Sequence, residues 1–421
     1  MREERLRIAM LSLHSDPIGK LGTKDTGGMS VYIRELAHEL GRRGHWIDIY
    51  TRLQNGDHQH IRQLYENVRL IRLHIPNYGK LSKLALYPHL PKFFLSLDKF
   101  RAEENLEYDI IHSHYWLSGR LGSLAQTQWN RPHFVTFHTL GALKNRSGVG
   151  LQEPDFRIAA EKELIGTCHR VLAPTKRERQ NLIRCYAAAA DKIGIVPCGV
   201  NLDLFYPSDK TAARKKLGFE PQDTILLYVG RFDPLKGLNQ LLEALTYLKH
   251  HPRLRLVIVG GDGDKAPELK SLKRKIRDFA IEERVVLAGQ IEQRNLPPYY
   301  SAADVLVMPS HYESFGLVGL EALACGRPVV STPVGAAEDL IRNGQTGRIV
   351  TDAAPRSLAE GIQRILTDRA MPDAEVIRGS ILQYSWHKVA AAVIEEYQTV
   401  LRRQYFDDDS WISDKAEASC G

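Results

Sequence analysis

Short apolar runs alternate with amphipathic stretches along most of the chain. Arg7 to Leu13, Trp46 to Thr51, Val68 to His74, Asp109 to His114, His133 to His138, Arg170 to Ala173 and Ile193 to Val196 each predict a buried strand, because they are brief and bounded by polar or turn residues. Between the first two, Ile33, Leu36, Ala37 and Leu40 fall at i, i+3, i+4 and i+7, the core face of a helix that Gly41 and Gly44 stop. Glu153 to Gly166 and Glu178 to Tyr186 continue the alternation as helices. A turn-rich connector, PCGVNLDLFYP, contains Pro197, Gly199 and Pro207, and a second series starts beyond it. There Ile225 to Val229, Leu254 to Val259, Arg284 to Leu287, Val305 to Met308 and a run from Val329 predict strands, with helices over Leu238 to Leu248 and Leu317 to Cys325. This pattern predicts an α/β chain of two Rossmann-like halves with a ligand cleft between them. The expected divisions are 1–200, 201–385 and a C-terminal segment 386–421, with a helix around Val389 to Tyr405 able to pack back on the first domain and then a frayed tail, DDDSWISDKAEASCG.

Composition narrows the class. A chain of 421 residues with 43% hydrophobic and 25% charged residues has room for two cores and the balance of a globular protein. No run approaches the roughly 18 apolar residues of a membrane span. Ile8 to Leu13 is too short for a signal-peptide core, so a cytoplasmic location is expected. The five cysteines show no C-x-x-C spacing, which argues against a disulfide framework or a structural zinc. A net charge of +7 favours anionic ligands, but the basic residues are dispersed without an aromatic-basic module, so nucleic acid is not expected as a partner. Lys80, Lys83 and Lys92 stand near Phe93, Phe94 and Phe100 in a segment that could lie along a membrane surface. An ordinary helix with a core face and snorkelling lysines is the preferred reading. His112, His114, His133 and His138 mark two strand ends, yet no acidic residue lies at ligand spacing, and no metal is expected. Asp407 to Asp409 lie in a polar tail, and the GGDGD at Gly260 to Asp264 lacks the closing Glu of a calcium loop.

The candidate chemistry gathers at the strand ends of the second series. In VLVMPSHYESFGLVGLEALACGRPVVSTPVG, Val305 to Gly335, a strand is followed by a polar loop with Glu313 and by a short helix with Glu321 more than a turn inside it. The amides of Phe315, Gly316, Leu317 and Val318 lack intrahelical partners and sit at the positive end of the helix dipole, where an anion such as a diphosphate is accepted. Arg231 and Lys236, in GRFDPLKG after an earlier strand, are suited to stabilising the charge that develops on a departing diphosphate. In the first half, Gly27 and Gly28 precede the amphipathic helix and would let backbone approach a phosphate or sugar closely.

GRFDPLKG, the Glu313-x7-Glu321 stretch, TGGMSVYIRELAHELGRRGH and VPCGVNLDLFYP together resemble the retaining GT-B glycosyltransferases of the sucrose-phosphate synthase and D-inositol-3-phosphate glycosyltransferase type, over nearly the whole chain. The resemblance implies two Rossmann-like domains facing a cleft, a UDP-sugar donor and no required cofactor. It also implies roles: Arg231 and Lys236 on the diphosphate, Glu321 on the ribose hydroxyls, and Glu313 with the amides of Phe315 to Val318 on donor sugar and phosphate. Gly28 would lie under the diphosphate with Gly27 beside it, His138 would face the sugar, and uracil would be read near Gly289 to Ile291 with Arg294 nearby. Transfer would proceed with retention by a same-face displacement in which the leaving phosphate helps deprotonate the acceptor.

The acceptor belongs to the first half. Lys83, Tyr115, Thr139 and Arg157 match positions that bind an acceptor phosphate in the inositol-phosphate enzymes, and Ser30, also expected to face the acceptor, stands where those enzymes carry Asn. On that account fructose 6-phosphate with UDP-glucose is the leading expectation. Transfer of N-acetylglucosamine from UDP-GlcNAc to inositol phosphate is the alternative, followed by a lipid acceptor at a membrane surface and by non-catalytic nucleotide-sugar binding.

Overall fold

The computed structural model describes residues 5–19, 26–53, 60–74, 81–261, 267–368 and 370–418, with backbone alone beyond 403. Its first sheet holds β1 (Arg7–Leu11), β2 (Trp46–Arg52), β3 (Ile61–Tyr65), β4 (Val68–Leu73), β5 (Ile110–His114), β6 (His133–Thr136), β7 (Arg170–Ala173) and β8 (Ile193–Ile195). They run in the order β3-β4-β2-β1-β5-β6-β7-β8, parallel except for β3, which pairs antiparallel with β4 at the edge. The second sheet is wholly parallel, with β9 (Thr224–Val229), β10 (Leu254–Val259), β11 (Val285–Gly289), β12 (Val305–Met308), β13 (Val329–Ser331) and β14 (Gly347–Ile349) in the order β11-β10-β9-β12-β13-β14. Both sheets are therefore doubly wound. In each, the strand order reverses beside the first strand of the series, between β1 and β5 and between β9 and β12, which is where such sheets open a ligand crevice.

The central strands read as unbroken apolar runs because helices cover both faces. β1, β9 and β12 bury Met10, Leu227 and Leu306 almost completely. The helix Gly28–Arg42 lays Ile33, Leu36, Ala37 and Leu40 on the first sheet, as its periodicity predicts. The segment around Lys83 forms the helices Lys83–Leu86 and Leu90–Glu103, whose Leu86, Leu90, Phe93 and Leu97 are buried while Leu95 and Lys92 face outward. Lys80 lies outside the described residues. Among the described residues no helix is long and apolar enough to cross a membrane.

The C-terminus differs most from expectation. The helix Trp386–Ala418 starts earlier than Val389 and continues through Asp407 to Asp409 into the stretch expected to fray. It crosses back to the first half, where Tyr397 Oη meets His112 Nδ1 at 2.7 Å and Arg170 Nε donates to Glu396 at 2.6 Å. Val389, Val393, Ile394 and Tyr397 are buried in a core continuous with Ile8 and Phe134 on one side and with Ile225 and Leu323 on the other. Burial of this apolar face against the helix Gly28–Arg42 and the first sheet, not helix propensity, holds the helix in place. Where the chain makes this second crossing it lies against the first one, the Val200 N–H donating to Tyr384 O at 2.8 Å.

Candidate functional site

The wall formed by the second half is built from the chain leaving β9 and β12. Gly237, at φ +66°, has no room for a side chain, since a Cβ there would lie 1.9 Å from Pro309 O. Glycine thus lets the two loops touch and brings Lys236 to Glu313, with Nζ to Oε1 at 2.6 Å. Ser310 Oγ donates to the same carboxylate at 2.9 Å. The Lys236 ammonium keeps further protons for a second anion. Arg231 has its carbonyl held by the Tyr228 hydroxyl at 2.9 Å, and its guanidinium approaches Asp233 at 3.5 Å. Gly316, at φ +98°, turns the chain into the helix Leu317–Ala324, with Phe315 buried and Leu317 and Val318 half-buried around the helix start.

Glu321 is buried in that helix, accepting from the Tyr300 hydroxyl at 2.6 Å and from Gln293 Nε2 at 3.0 Å. Burial pushes its carboxyl up to about 7, with Glu35 of the opposite wall adding to the shift and the two hydrogen bonds opposing it. Gln293 in turn accepts from Arg34 Nη2 at 2.6 Å, so the first half reaches Glu321 through one intermediary. Gln293, Tyr300 and Arg34 were not identified from the sequence. The expected Arg294 instead points away, 77% exposed and paired with Glu292 at 2.7 Å. In the turn Gln293–Asn295 the residue that faces inward is the one before it. Ile291 is half-buried and packs against the core.

The glycine loop of the first half faces this wall. A Cβ on Gly28 would meet Leu317 Cδ1 at 3.3 Å, whereas one on Gly27 would meet nothing within 4 Å. Beneath it, His112, His114 and His138 form a stack with ring centroids 4.3 and 5.2 Å apart, and Tyr32 packs edge-on at 5.1 Å from His138. His138 adopts φ +58°, and its Nε2 meets His114 Nδ1 at 3.0 Å. Burial, helped by His112, lowers its pKa to about 3, so the ring stays neutral at physiological pH. These histidines are hydrogen-bonded to one another and to Thr136 and Tyr397, and no group of metal-ligating residues occurs among the described residues.

Three of the four residues matched to an acceptor phosphate converge. Arg157 is fully buried, its Nη2 donating to Thr139 O at 3.1 Å and Thr139 Oγ1 at 3.2 Å, and its guanidinium lies 5.0 Å from the Tyr115 ring centroid. Glu153 and Glu161, each at 2.8 Å, hold the other guanidinium nitrogens in a fixed plane. His14 packs at a tilt against Tyr115, with centroids 4.4 Å apart. Its pKa is lowered well below the usual value by burial and then by nearby basic groups, Lys83 first among them, so Lys83 lies within electrostatic reach of this ring. Sequence reasoning did not single out His14. Ser30 corrects an expectation: it is completely buried, with its hydroxyl 2.7 Å from Ser15 Oγ, and shapes the loop instead of facing an acceptor.

Two doubly wound sheets with facing switch points, with Arg231 and Lys236 on one loop and a glycine-led helix start after the next strand, have the architecture of the GT-B glycosyltransferases. The family models agree: residues 26–204 match Glycosyltransferase Family 4 and residues 209–378 match Glycosyl transferases group 1. The D-inositol 3-phosphate glycosyltransferase of Xylanimonas cellulosilytica is 34% identical, over 94% of this chain and 98% of its own. A second enzyme of that name, from Geodermatophilus obscurus, is 36% identical over 93% and 89%. Among solved structures, the sucrose-phosphate synthase from Thermosynechococcus elongatus superposes with a TM-score of 0.87 at 31% identity, covering 95% of this chain and all of that one. The chain belongs to the group 1 glycosyltransferases and is an enzyme of that family.

Proposed function

We propose that the enzyme transfers a hexosyl group, with retention, from a UDP-sugar to a hydroxyl of a small phosphorylated acceptor, and that this acceptor is an inositol phosphate with UDP-GlcNAc as donor. The single observation that carries the acceptor class is the convergence of Tyr115, Thr139 and Arg157, with Lys83 acting on the adjacent His14. A guanidinium held in a fixed plane by two carboxylates, beside Thr139 and the Tyr115 ring, supports a phosphate-binding site there. The polyol is favoured because the curated relatives quoted above carry inositol phosphate in their names. Ser30 does not argue against it, since its side chain is engaged with Ser15. The superposition on sucrose-phosphate synthase keeps fructose 6-phosphate with UDP-glucose as the second reading.

In the proposed reaction Arg231, Lys236 and the amides of Phe315 to Val318 hold the diphosphate and take up the charge that grows on it as the glycosidic bond breaks. Glu321 binds the ribose hydroxyls, and Glu313, fixed by Lys236 and Ser310, binds those of the sugar. The neutral imidazole of His138 and the open space at Gly27 face the sugar and diphosphate. The acceptor hydroxyl attacks from the face the diphosphate leaves and loses its proton to a phosphate oxygen, which preserves the anomeric configuration. A screen following UDP release tests the assignment. Turnover with inositol phosphate and UDP-GlcNAc is expected, and turnover only with fructose 6-phosphate and UDP-glucose would replace the first reading by the second.

A further inference from the structure

In the loop after β12, neighbouring side chains leave the chain in opposite directions. Glu313 turns back into its own half, onto Lys236 and Ser310. The residues on either side cross the cleft: the Tyr312 hydroxyl accepts the Leu140 N–H at 3.0 Å, and Ser314 Oγ donates to Glu178 Oε2 at 2.6 Å. Leu140 directly follows Thr139, in a loop that Arg157 grips at Thr139 and that Glu161 grips at the Gly141 N–H, 2.9 Å away. Tyr312 therefore touches neither proposed ligand, yet it is one residue from Glu313, and its bonding partner is one residue from Thr139.

We infer that Tyr312 is a positioning residue for transfer: its hydroxyl, by receiving the Leu140 N–H, ties the placement of Glu313 to the loop that holds the acceptor phosphate. The inference rests on the phosphorylated-acceptor reading above. Arg157 and Glu161 already hold the 138–141 loop, and a phosphate on Arg157 and Thr139 tightens that hold. The Leu140 amide then fixes Tyr312, and the short chain between Tyr312 and Ser314 leaves Glu313 one direction in which to point. Donor and acceptor phosphate should accordingly bind with mutual reinforcement, and linkage makes that reinforcement equal in both directions.

Y312F removes only the oxygen that accepts the Leu140 N–H. In the full-length enzyme, calorimetric titration with UDP is compared without and with saturating inorganic phosphate, alongside kcat and both KM values with the acceptor found by the screen. The wild type is expected to bind UDP more tightly in phosphate. Y312F is expected to keep its affinity for UDP alone, to lose most of the phosphate-induced gain, and to lose kcat on the order of tenfold, the effect of one hydrogen bond whose buried donor is left unpaired. S314A cuts the other crossing contact and should weaken the same coupling, an independent measure should Y312F fold poorly. Equal coupling in wild type and Y312F, or a loss of UDP affinity in Y312F without phosphate, overturns the inference while leaving the acceptor class intact. A wild type indifferent to phosphate, together with no UDP release from any phosphorylated acceptor, overturns both.

Discussion

The most searching test of the donor site concerns the protonation of Glu321. Its carboxyl is pushed up to about 7 because the helix Leu317–Ala324 buries it, with Tyr300 and Gln293 donating to it. Ribose hydroxyls would donate to this group, so they favour its ionised form and should bind better as pH rises. With a free-enzyme pKa of about 7, roughly a tenth of the protein is ionised at pH 6 and about nine-tenths at pH 8, so affinity should rise roughly tenfold between them, or ~1.4 kcal/mol. Above about pH 8 the gain should level off. Calorimetry with UDP-glucose and UDP-GlcNAc, whose substituted diphosphates do not titrate in this window, reads the slope directly. E321Q should flatten the slope and weaken binding at pH 8 by about 10- to 100-fold, the loss of a hydrogen bond to a charged group. Y300F removes a donor that holds the pKa down and should move the midpoint to higher pH. A slope that persists in E321Q, or a wild type with none, would refute the assignment of Glu321 to the ribose.

The remaining predictions concern other parts of the cleft. Gly27 has extended backbone at φ −171° and open space at its Cβ, so G27L should fold with a melting temperature near that of the wild type and yet lose nearly all turnover and UDP binding. R157K replaces a fork held by Glu153, Glu161 and Thr139 with a point charge; acceptor KM should rise 10-fold or more in steady-state assays while donor KM stays within about twofold. Glu178 is raised to about 7 by burial, with Glu161 adding and the Ser314 bond opposing. A carboxyl whose pKa is higher folded than unfolded holds its proton preferentially in the native state, so its stabilisation is lost as pH rises from about 4.5 through 7. E178Q should therefore gain up to ~3 kcal/mol over the wild type between pH 5 and 8 in denaturant melts, and equal pH dependence of the two proteins would contradict the shift.

How legible the molecule is from its residues depends on the range of the interaction. β7, β10 and β12 stand where their apolar runs end, because a strand buried on both faces leaves a continuous hydrophobic signature. β3 leaves none, since it is an edge strand with exposed Ile61, Arg62 and Gln63, and β14 has only three residues. At the site, Lys236 and Glu313 are readable as chemical types in recognisable loops. Their partners are not, for Tyr300 reaches Glu321 across 21 positions and Ser314 reaches Glu178 across 136, and no local period encodes such pairs. The choice between Gln293 and Arg294 turns on the phase of a single helical turn, which composition does not fix. Ser30 is unreadable for a related reason: in the first turn of the helix Gly28–Arg42 it turns inward to a buried partner, Ser15, across 15 positions.

The two chain crossings between the halves lie side by side, joined by the bond between Val200 and Tyr384. Neither crossing therefore stands alone. A change that disturbs one, such as loss of the Val200 amide in V200P, is passed directly to the other, so the register between the walls bearing Glu313 and His138 should depend on this paired connection as well as on the contacts across the cleft.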